Sequence, residues 1–241
     1  MKHLHFKSAM QDGEAAMPPC GVCGVAAYRD QRVLWPGLVR AWELAEHEET
    51  YINRQQGTVC EGCGSNLRSI ALARALCLYF GHADTFDSLL RNAPQAGLLE
   101  INEAGTLHTR LARFPNYVFG GYPECDLMAL PFDDGRFDVV VHSDTLEHVA
   151  DPLLALQETR RVLAPEGAVI FTVPIVLGRL TRSRKGLEPS YHGAPGTEDA
   201  DLLVHSEFGS DVWALVLRAG YSQCTLVPFS PPAGIAIVGY K

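Results

Sequence analysis

Apolar residues recur at regular intervals along most of the chain, and their spacing changes near residue 97. Before that point the clearest pattern is "SNLRSIALARALCLYF", where apolar side chains at 70, 73, 76, 77 and 80 share one helical face and Ser65 is placed to cap it. A second helix is predicted around "GLVRAWELAEHEE". After 97, short apolar runs alternate with amphipathic segments, the mark of βα units and a mostly parallel sheet. "GLLEIN", "NYVFGGY", "FDVVVHS" and "GAVIFTVP" read as strands. Between the last two, Asp151 and Pro152 open a helix whose Ala155, Leu156, Thr159, Val162 and Leu163 lie on one face, and "APEG" closes it. A Gly-, Pro- and charge-rich stretch then runs to about 205, followed by a helix over "FGSDVWALVLRAG". The closing strands "CTLVPF" and "GIAIVGY", joined by the short "SPPAG", are expected to pair antiparallel.

Composition narrows the class. With 241 residues, 47% of them hydrophobic, the chain accommodates one large domain and a small module. Its 20 basic and 28 acidic residues leave a net charge of −8, which argues against an extended nucleic-acid surface because phosphate binding needs clustered Lys and Arg. Up to Asn66 the balance is six basic to eight acidic residues, so this part reads as a stabilising cap or a substrate-side wall. The longest apolar run, "AVIFTVPIVLG", is well short of the roughly 20 residues that span a bilayer. With no apolar stretch for a signal peptide at its start, the chain is expected to be cytoplasmic and without a membrane partner.

Four of the seven cysteines have metal-ligand spacing. "CGVCG" pairs Cys20 with Cys23, and "CEGCG" pairs Cys60 with Cys63. In each knuckle two thiolates converge on one side of a tight turn, and the following glycine lets backbone N–H groups point at sulfur. Two knuckles complete a tetrahedral four-thiolate zinc site, structural because no coordination position stays open. A redox dithiol is the competing reading. Cys77, Cys125 and Cys224 read as small core residues.

The stretch "CDLMALPFDDGRFDVVVHSDTLEHVADPLLALQETRRVLAPEGAVIFTVP" resembles the class I S-adenosylmethionine-dependent methyltransferases, in particular the small-molecule group with a "D…LPF.D..FD.V….LEH" core. "CEGCGSNLRSIALARAL" looks like the four-cysteine module and Arg- and Leu-rich helix that a subset of such enzymes carries. The resemblance implies a Rossmann-like α/β fold with a mostly parallel sheet and an antiparallel last strand, plus a zinc-ribbon-like N-terminal module. The expected division is 1–66 for the zinc module, 67–96 for connecting helices and 97–241 for the methyltransferase domain, with a substrate-side insertion at about 175–205. Glu100 would then be the acid that closes the first strand near the cofactor's methionine end. Asp126, Leu127 and Met128 would meet the adenine, and His142, Ser143 and Asp144 would line the sulfonium and the acceptor. Glu147 and His148 match the family's "EH" pair, whose role reads more as packing or helix-start hydrogen bonding than as chemistry.

Two departures stand out. The turn "INEAGTL" lacks the family's glycines, leaving Asn102 to adopt positive φ and Gly105 as the permissive position, while Glu103 adds a charge. The chain between Glu100 and Asp126 is also too short for a second strand, a helix and a third strand. No acid follows Phe119 directly to hold the ribose hydroxyls, which leaves Glu124 or Asp126 for that task. Methyl transfer is an in-line displacement that needs alignment and, for a protonated nucleophile, a base. His142, Asp144, His148 and His192 are the candidates, with His205 behind them; His192 and Tyr191 lie in the irregular "PSYHGAPG". Arg179, Arg182, Arg184 and Lys185 form the dense basic cluster, which either faces an anionic acceptor or is a solvated loop. The expected function is methyl transfer to a small-molecule acceptor. The alternatives are an RNA methyltransferase that grips RNA with the zinc module, and a non-catalytic binding module that keeps the fold.

Overall fold

The computed structural model describes residues 17–82, 84–193, 196, 198–229 and 234–241. Its first part is an antiparallel ribbon of β1 (Tyr28–Asp30) and β2 (Thr58–Cys60), with one cysteine knuckle before β1 and the other at the end of β2. Between the strands lie α1 (Pro36–Ala41) and α2 (Glu46–Gly57). The single helix expected over 37–49 is therefore two helices. Glu43 takes a positive φ of 51°, which breaks the run and lets both Trp42 and Leu44 turn inward onto Leu34, Leu38 and Ile52. α2 starts afresh with the Glu48 carboxylate accepting the N–H of Ala45 at 2.8 Å.

Asn66, one residue after the expected cap, starts α3 (Leu67–Tyr79) by accepting the Ser69 N–H on its side-chain oxygen at 2.9 Å. Ser65 turns away and shares a 2.7 Å hydrogen bond with Thr106. α3 is buried on nearly every side, because it lies between the cysteine module and the central sheet. One apolar cluster accordingly runs from Cys20, Val22 and Cys60 through α3 to Leu98 and Val139 of the sheet. The short α4 (Phe86–Leu89) follows.

The sheet then unfolds in chain order as β3 (Gly97–Ile101), a brief α5 (His108–Leu111), β4 (Asn116–Gly120), β5 (Phe137–Ser143), α6 (Pro152–Val162) and β6 (Leu163–Thr172). After β7 (Ile175–Val176), β8 (Arg182–Ser183) and β9 (Ser206–Gly209) come α7 (Val212–Arg218), β10 (Gln223–Phe229) and β11 (Gly234–Tyr240). The spatial order is β10-β11-β6-β5-β3-β4. β4, β3, β5 and β6 run parallel, and β11 runs antiparallel to both of its neighbours. This is the mostly parallel sheet with an antiparallel closing pair that the apolar pattern predicts, and it is of the Rossmann-like kind that the resemblance implies. The "SPPAG" connection falls largely outside the described residues. α6 matches its sequence pattern closely: the Asp151 carboxylate caps it, Pro152 sits in its first turn, and Ala155, Leu156, Thr159 and Val162 are buried. Leu163 differs, since it already pairs with Phe137 as the first residue of β6.

Among the described residues only β4 lies beyond β3 on that side, and it forms the sheet edge. The chain leaves β3 for β4 on one side and returns to β5 on the other, so the carboxyl ends of β3 and β5 bound the crevice where open α/β sheets bind ligands. β7, β8 and β9 make a small separate sheet above the ends of β5 and β6. The N-terminal helices dock on it through Gln55, whose amide donates to the Ile175 carbonyl at 3.1 Å, and on the segment between β8 and β9 through Trp42, whose indole N–H donates to the Ser190 hydroxyl at 2.8 Å.

Candidate active site and cysteine cluster

The turn after β3 closes despite its lack of glycines. Asn102 and Gly105 both adopt φ of +53°, a conformation open to Gly at no cost and to Asn at a modest one. The Asn102 N–H donates to the Gly120 carbonyl at 2.9 Å, and its side-chain oxygen accepts from the Tyr122 N–H at 3.0 Å. Glu100 is fully buried beneath the turn. Its carboxylate accepts from the Ala104 N–H at 2.7 Å and from the Tyr117 hydroxyl, and lies 2.9 Å from His108 Nδ1. Glu100 thus ties the loop to the sheet from below.

A cavity of about 570 Å³ opens over this turn at the crevice between β3 and β5. Asn102, Gly105, Asp126, Leu127, Met128 and Ser143 all line it, as do Glu103, Asp144 and His148. Asp126 bends the chain by accepting the Met128 N–H at 2.8 Å, and the Ser143 hydroxyl is 2.8 Å from that of Thr172. At the end of β4, a Cβ on Gly120 would come within 2.5 Å of the Cys125 sulfur, which explains why no acidic side chain stands there. Glu124 is not among the lining residues, so of the two candidates for the ribose it is Asp126 that faces the cavity.

A second cavity, of about 360 Å³, adjoins the first and shares Asp144, His148 and Leu202 with it. Trp35, Leu38, Trp42 and Gln56 of the N-terminal helices wall one side, and Arg68, Glu147, Pro174 and His192 the other. Asp144 holds a positive φ of 51° at the end of β5, and Arg68 Nη2 donates to its carboxylate at 2.7 Å. Arg68 is 5% exposed, and its Nε and Nη1 have no hydrogen-bond partner among the described residues. Glu147 is 1% exposed, and neither of its carboxyl oxygens has a hydrogen-bond partner among the described residues. Burial, and then the nearby Asp144, push the Glu147 carboxyl well above the usual range. His148 Nδ1 donates to the Leu203 carbonyl, 3.0 Å away, and its Nε2 is 3.1 Å from His192 Nδ1. Burial and the neighbouring His148 lower the His192 imidazole to about 3.

His142 stands apart from the other candidate histidines. Its ring is fully buried, stacked on Phe171 at 4.8 Å between centroids, and lines neither cavity. The basic cluster is also placed differently from an acceptor-facing or solvated loop. Arg179 donates twice to Glu48 at 2.5 Å, Arg182 donates to Glu207 at 2.6 Å, and the buried Arg184 donates to the same Glu207. Three of the four cations therefore fasten the 175–209 segment to itself and to α2. His205 lines the larger cavity, and its N–H donates to the Glu147 carbonyl at 2.8 Å. Arg68 went unmarked in the sequence, although a lone guanidinium on the buried side of "NLRSIALARAL" is a signal, since such a group needs a partner or a ligand.

The four cysteines Cys20, Cys23, Cys60 and Cys63 converge, with all sulfurs within 4.8 Å of one another. Cys20 and Cys63 are 3.7 Å apart and Cys23 and Cys60 are 3.6 Å apart, close to the ~3.8 Å edge of a tetrahedron with metal–sulfur bonds of about 2.3 Å. Gly24 and Gly64 have φ of +84° and +73° and close the two knuckles onto the carbonyls of Cys20 and Cys60. The second knuckle leads straight into α3, so Cys63 sits against Ser65, which holds Thr106 beside the β3 turn, while Arg68 follows one helical turn later.

Residues 60–171 match the family model described as a methyltransferase domain. A demethylmenaquinone methyltransferase of Staphylococcus carnosus is 29% identical over 128 residues, which are 48% of this chain and 53% of that protein. A malonyl-(acyl-carrier protein) O-methyltransferase of Halorhodospira halophila is 35% identical over 101 residues, 41% of this chain and 34% of its own. The chain spans about half or less of the length of these curated relatives. Among solved structures, the 1,6-didemethyltoxoflavin N1-methyltransferase of Burkholderia thailandensis, bound to S-adenosylhomocysteine, aligns over 89% of this chain and 94% of its own at 13% identity, with a TM-score of 0.43. A SAM-dependent methyltransferase from Aquifex aeolicus aligns over 64% and 87% at 14% identity, with a TM-score of 0.39. The central sheet is thus of the Rossmann-like α/β kind, and the segment from 60 to 171 is similar to a methyltransferase domain.

Proposed function

We propose that the protein transfers a methyl group from S-adenosylmethionine to a small-molecule acceptor. The observation that carries this reading is the pair of adjoining cavities that meet at Asp144 and His148 over the carboxyl ends of the strands. The larger has the volume of a ligand site for a nucleoside-sized molecule, within the about 300–1,000 Å³ typical of such pockets. Its floor is the left-handed Asn102–Gly105 turn, and Asp126, Leu127 and Met128 form one wall, positions suited to the methionine and adenine ends respectively. When bound there, the cofactor supplies an electrophilic methyl on sulfur. The chain's own residues then align the acceptor and hold its proton: Asp144 is fixed by Arg68, and His148 faces both cavities.

The smaller cavity suits the acceptor. Trp35, Leu38 and Trp42 give it apolar walls, and the two unpaired nitrogens of Arg68 favour an acceptor that carries a carboxylate or phosphate. The acidic N-terminal part supports a small acceptor over RNA. A relative that is a demethylmenaquinone methyltransferase is in line with that class. The four-cysteine cluster reads as a structural zinc site, whose sulfur spacing fits a tetrahedral ion with no open position.

Calorimetric titration with S-adenosylmethionine and S-adenosylhomocysteine tests the reading, with Asp126→Ala as control. Micromolar binding that weakens at least tenfold in the variant is the expected result. Absence of binding to either ligand would leave a methyltransferase-like fold used for something else.

A further inference from the structure

We infer that Glu147, His148 and His192 form a divalent-cation site of the two-histidine, one-carboxylate kind, which holds an oxygen atom of the acceptor beside the cofactor cavity. The ligand atoms are His148 Nε2, His192 Nδ1 and Glu147 Oε1. Their separations are 3.1 Å between the two nitrogens and 3.9 and 3.8 Å from the carboxyl oxygen to each. Three atoms at those distances lie on a circle of radius about 2.1 Å, the length of a metal–imidazole or metal–carboxylate bond. No pair involving Glu147 is close enough for a hydrogen bond, and the spacing leaves room for an ion at the centre.

Two independent features point the same way. The Glu147 carboxyl is buried, faces the cavity and has neither oxygen satisfied, an arrangement that costs free energy until a cation or donor fills the gap. His148 also has the environment of a metal-binding histidine: Nδ1 faces the Leu203 carbonyl at 3.0 Å, and an N–H there leaves the Nε2 lone pair aimed at the triad. Arg68 keeps Asp144 engaged from the other side, so Asp144 is not drawn into the set. Imidazole and carboxylate donors select Zn²⁺, Mn²⁺, Fe²⁺ or Co²⁺, whereas the thiolate cluster in the N-terminal module selects softer binding of zinc. Three protein ligands leave positions open toward the smaller cavity, where a hydroxyl or carboxylate oxygen of the acceptor could coordinate and, as a hydroxyl, lose its proton more readily.

The cation site itself does not depend on the methyltransferase reading; its role toward an acceptor does. The test is Co²⁺ titration of the full chain carrying one equivalent of zinc, the amount the thiolate cluster takes up, followed by calorimetry and visible absorption, with S-adenosylhomocysteine titrated in parallel. The wild type is expected to bind one equivalent of Co²⁺ beyond the thiolate site. Glu147→Gln, of the same shape, and His192→Ala are expected to weaken that binding at least a hundredfold while keeping the melting temperature of a folded protein. Neither residue lines the larger cavity, so both variants should keep S-adenosylhomocysteine affinity. No second equivalent in the wild type, or equal Co²⁺ binding in folded variants, would overturn the site and leave a hydrogen-bonded histidine pair. Co²⁺ binding without S-adenosylhomocysteine binding would keep the site and reject the methyltransferase reading.

Discussion

Arg68 on α3 donates a 2.7 Å hydrogen bond to Asp144 at the end of β5, across 76 residues of sequence, and so ties the N-terminal helix to the point where the two cavities meet. The guanidinium is 6% exposed and the carboxylate 35%, so the pair is intermediate between a surface and a buried ion pair. Breaking it from the Asp144 side strands a buried cation. Asp144→Ala is therefore expected to cost about 2 kcal/mol, less than a fully buried pair would lose and more than a surface one. In a double-mutant cycle with Arg68→Met, measured by urea unfolding, the coupling should exceed about 1 kcal/mol. Simple additivity would mean that the contact contributes nothing.

The β3 turn rests on Asn102. At φ of +53°, Asn102→Gly keeps the conformation but loses the 3.0 Å bond to the Tyr122 N–H, whereas Asn102→Val loses both. The expected order of stability is Asn, then Gly, then Val, with Val down by about 2 kcal/mol or more. S-adenosylhomocysteine affinity should fall in the same order. A valine variant as tight as the wild type would separate the turn from the cofactor.

The cysteine cluster should matter beyond its own module, because Ser65 connects the second knuckle to Thr106 beside the turn and α3 carries Arg68 from the same knuckle. Cys60→Ser is expected to lose zinc and lower the melting temperature by about 10 °C or more. It should also weaken S-adenosylhomocysteine binding severalfold, as the turn loosens. Retained zinc in the variant would rule out a four-thiolate site.

How legible all this was in the sequence depends on the range of the signal. Period and capping are local, so α6 with Asp151, Pro152 and its buried face could be read directly, and so could the cysteine spacing. Asn102 at positive φ was legible for the same reason: among the residues of a glycine-poor turn, it tolerates that region best. Glu43 was not, because a break there follows from Trp42 and Leu44 both finding apolar partners, which is a tertiary effect. Glu100 looked like a cofactor-facing acid, yet its carboxylate is occupied by Ala104, Tyr117 and His108, partners up to 17 residues away. The basic run at 179–185 looked like one feature, but its three arginines are paired separately with Glu48 and Glu207. Long-range pairing of this kind leaves no periodic trace.

His142 gives a prediction that depends on pH. Burial alone lowers its imidazole to about 3, while an unfolded histidine titrates near 6.5. Between those values the unfolded chain takes up a proton that the native state refuses, so stability is present above about 6.5 and is lost as the pH falls toward 3. The loss from this one group should reach about 2 kcal/mol at pH 5. His142→Phe removes the titration and also removes two buried ring nitrogens that have no partner among the described residues. Its absolute stability is a poor guide, since a slightly larger ring on Phe171 adds packing strain of its own. The difference between pH 7 and pH 5 is the better measure, because the other titrating groups are common to both proteins and drop out. Urea unfolding at the two pH values should show that difference smaller by about 2 kcal/mol in His142→Phe. An unchanged difference would mean that the histidine is protonated in the fold, and hence that water or a counter-charge reaches it.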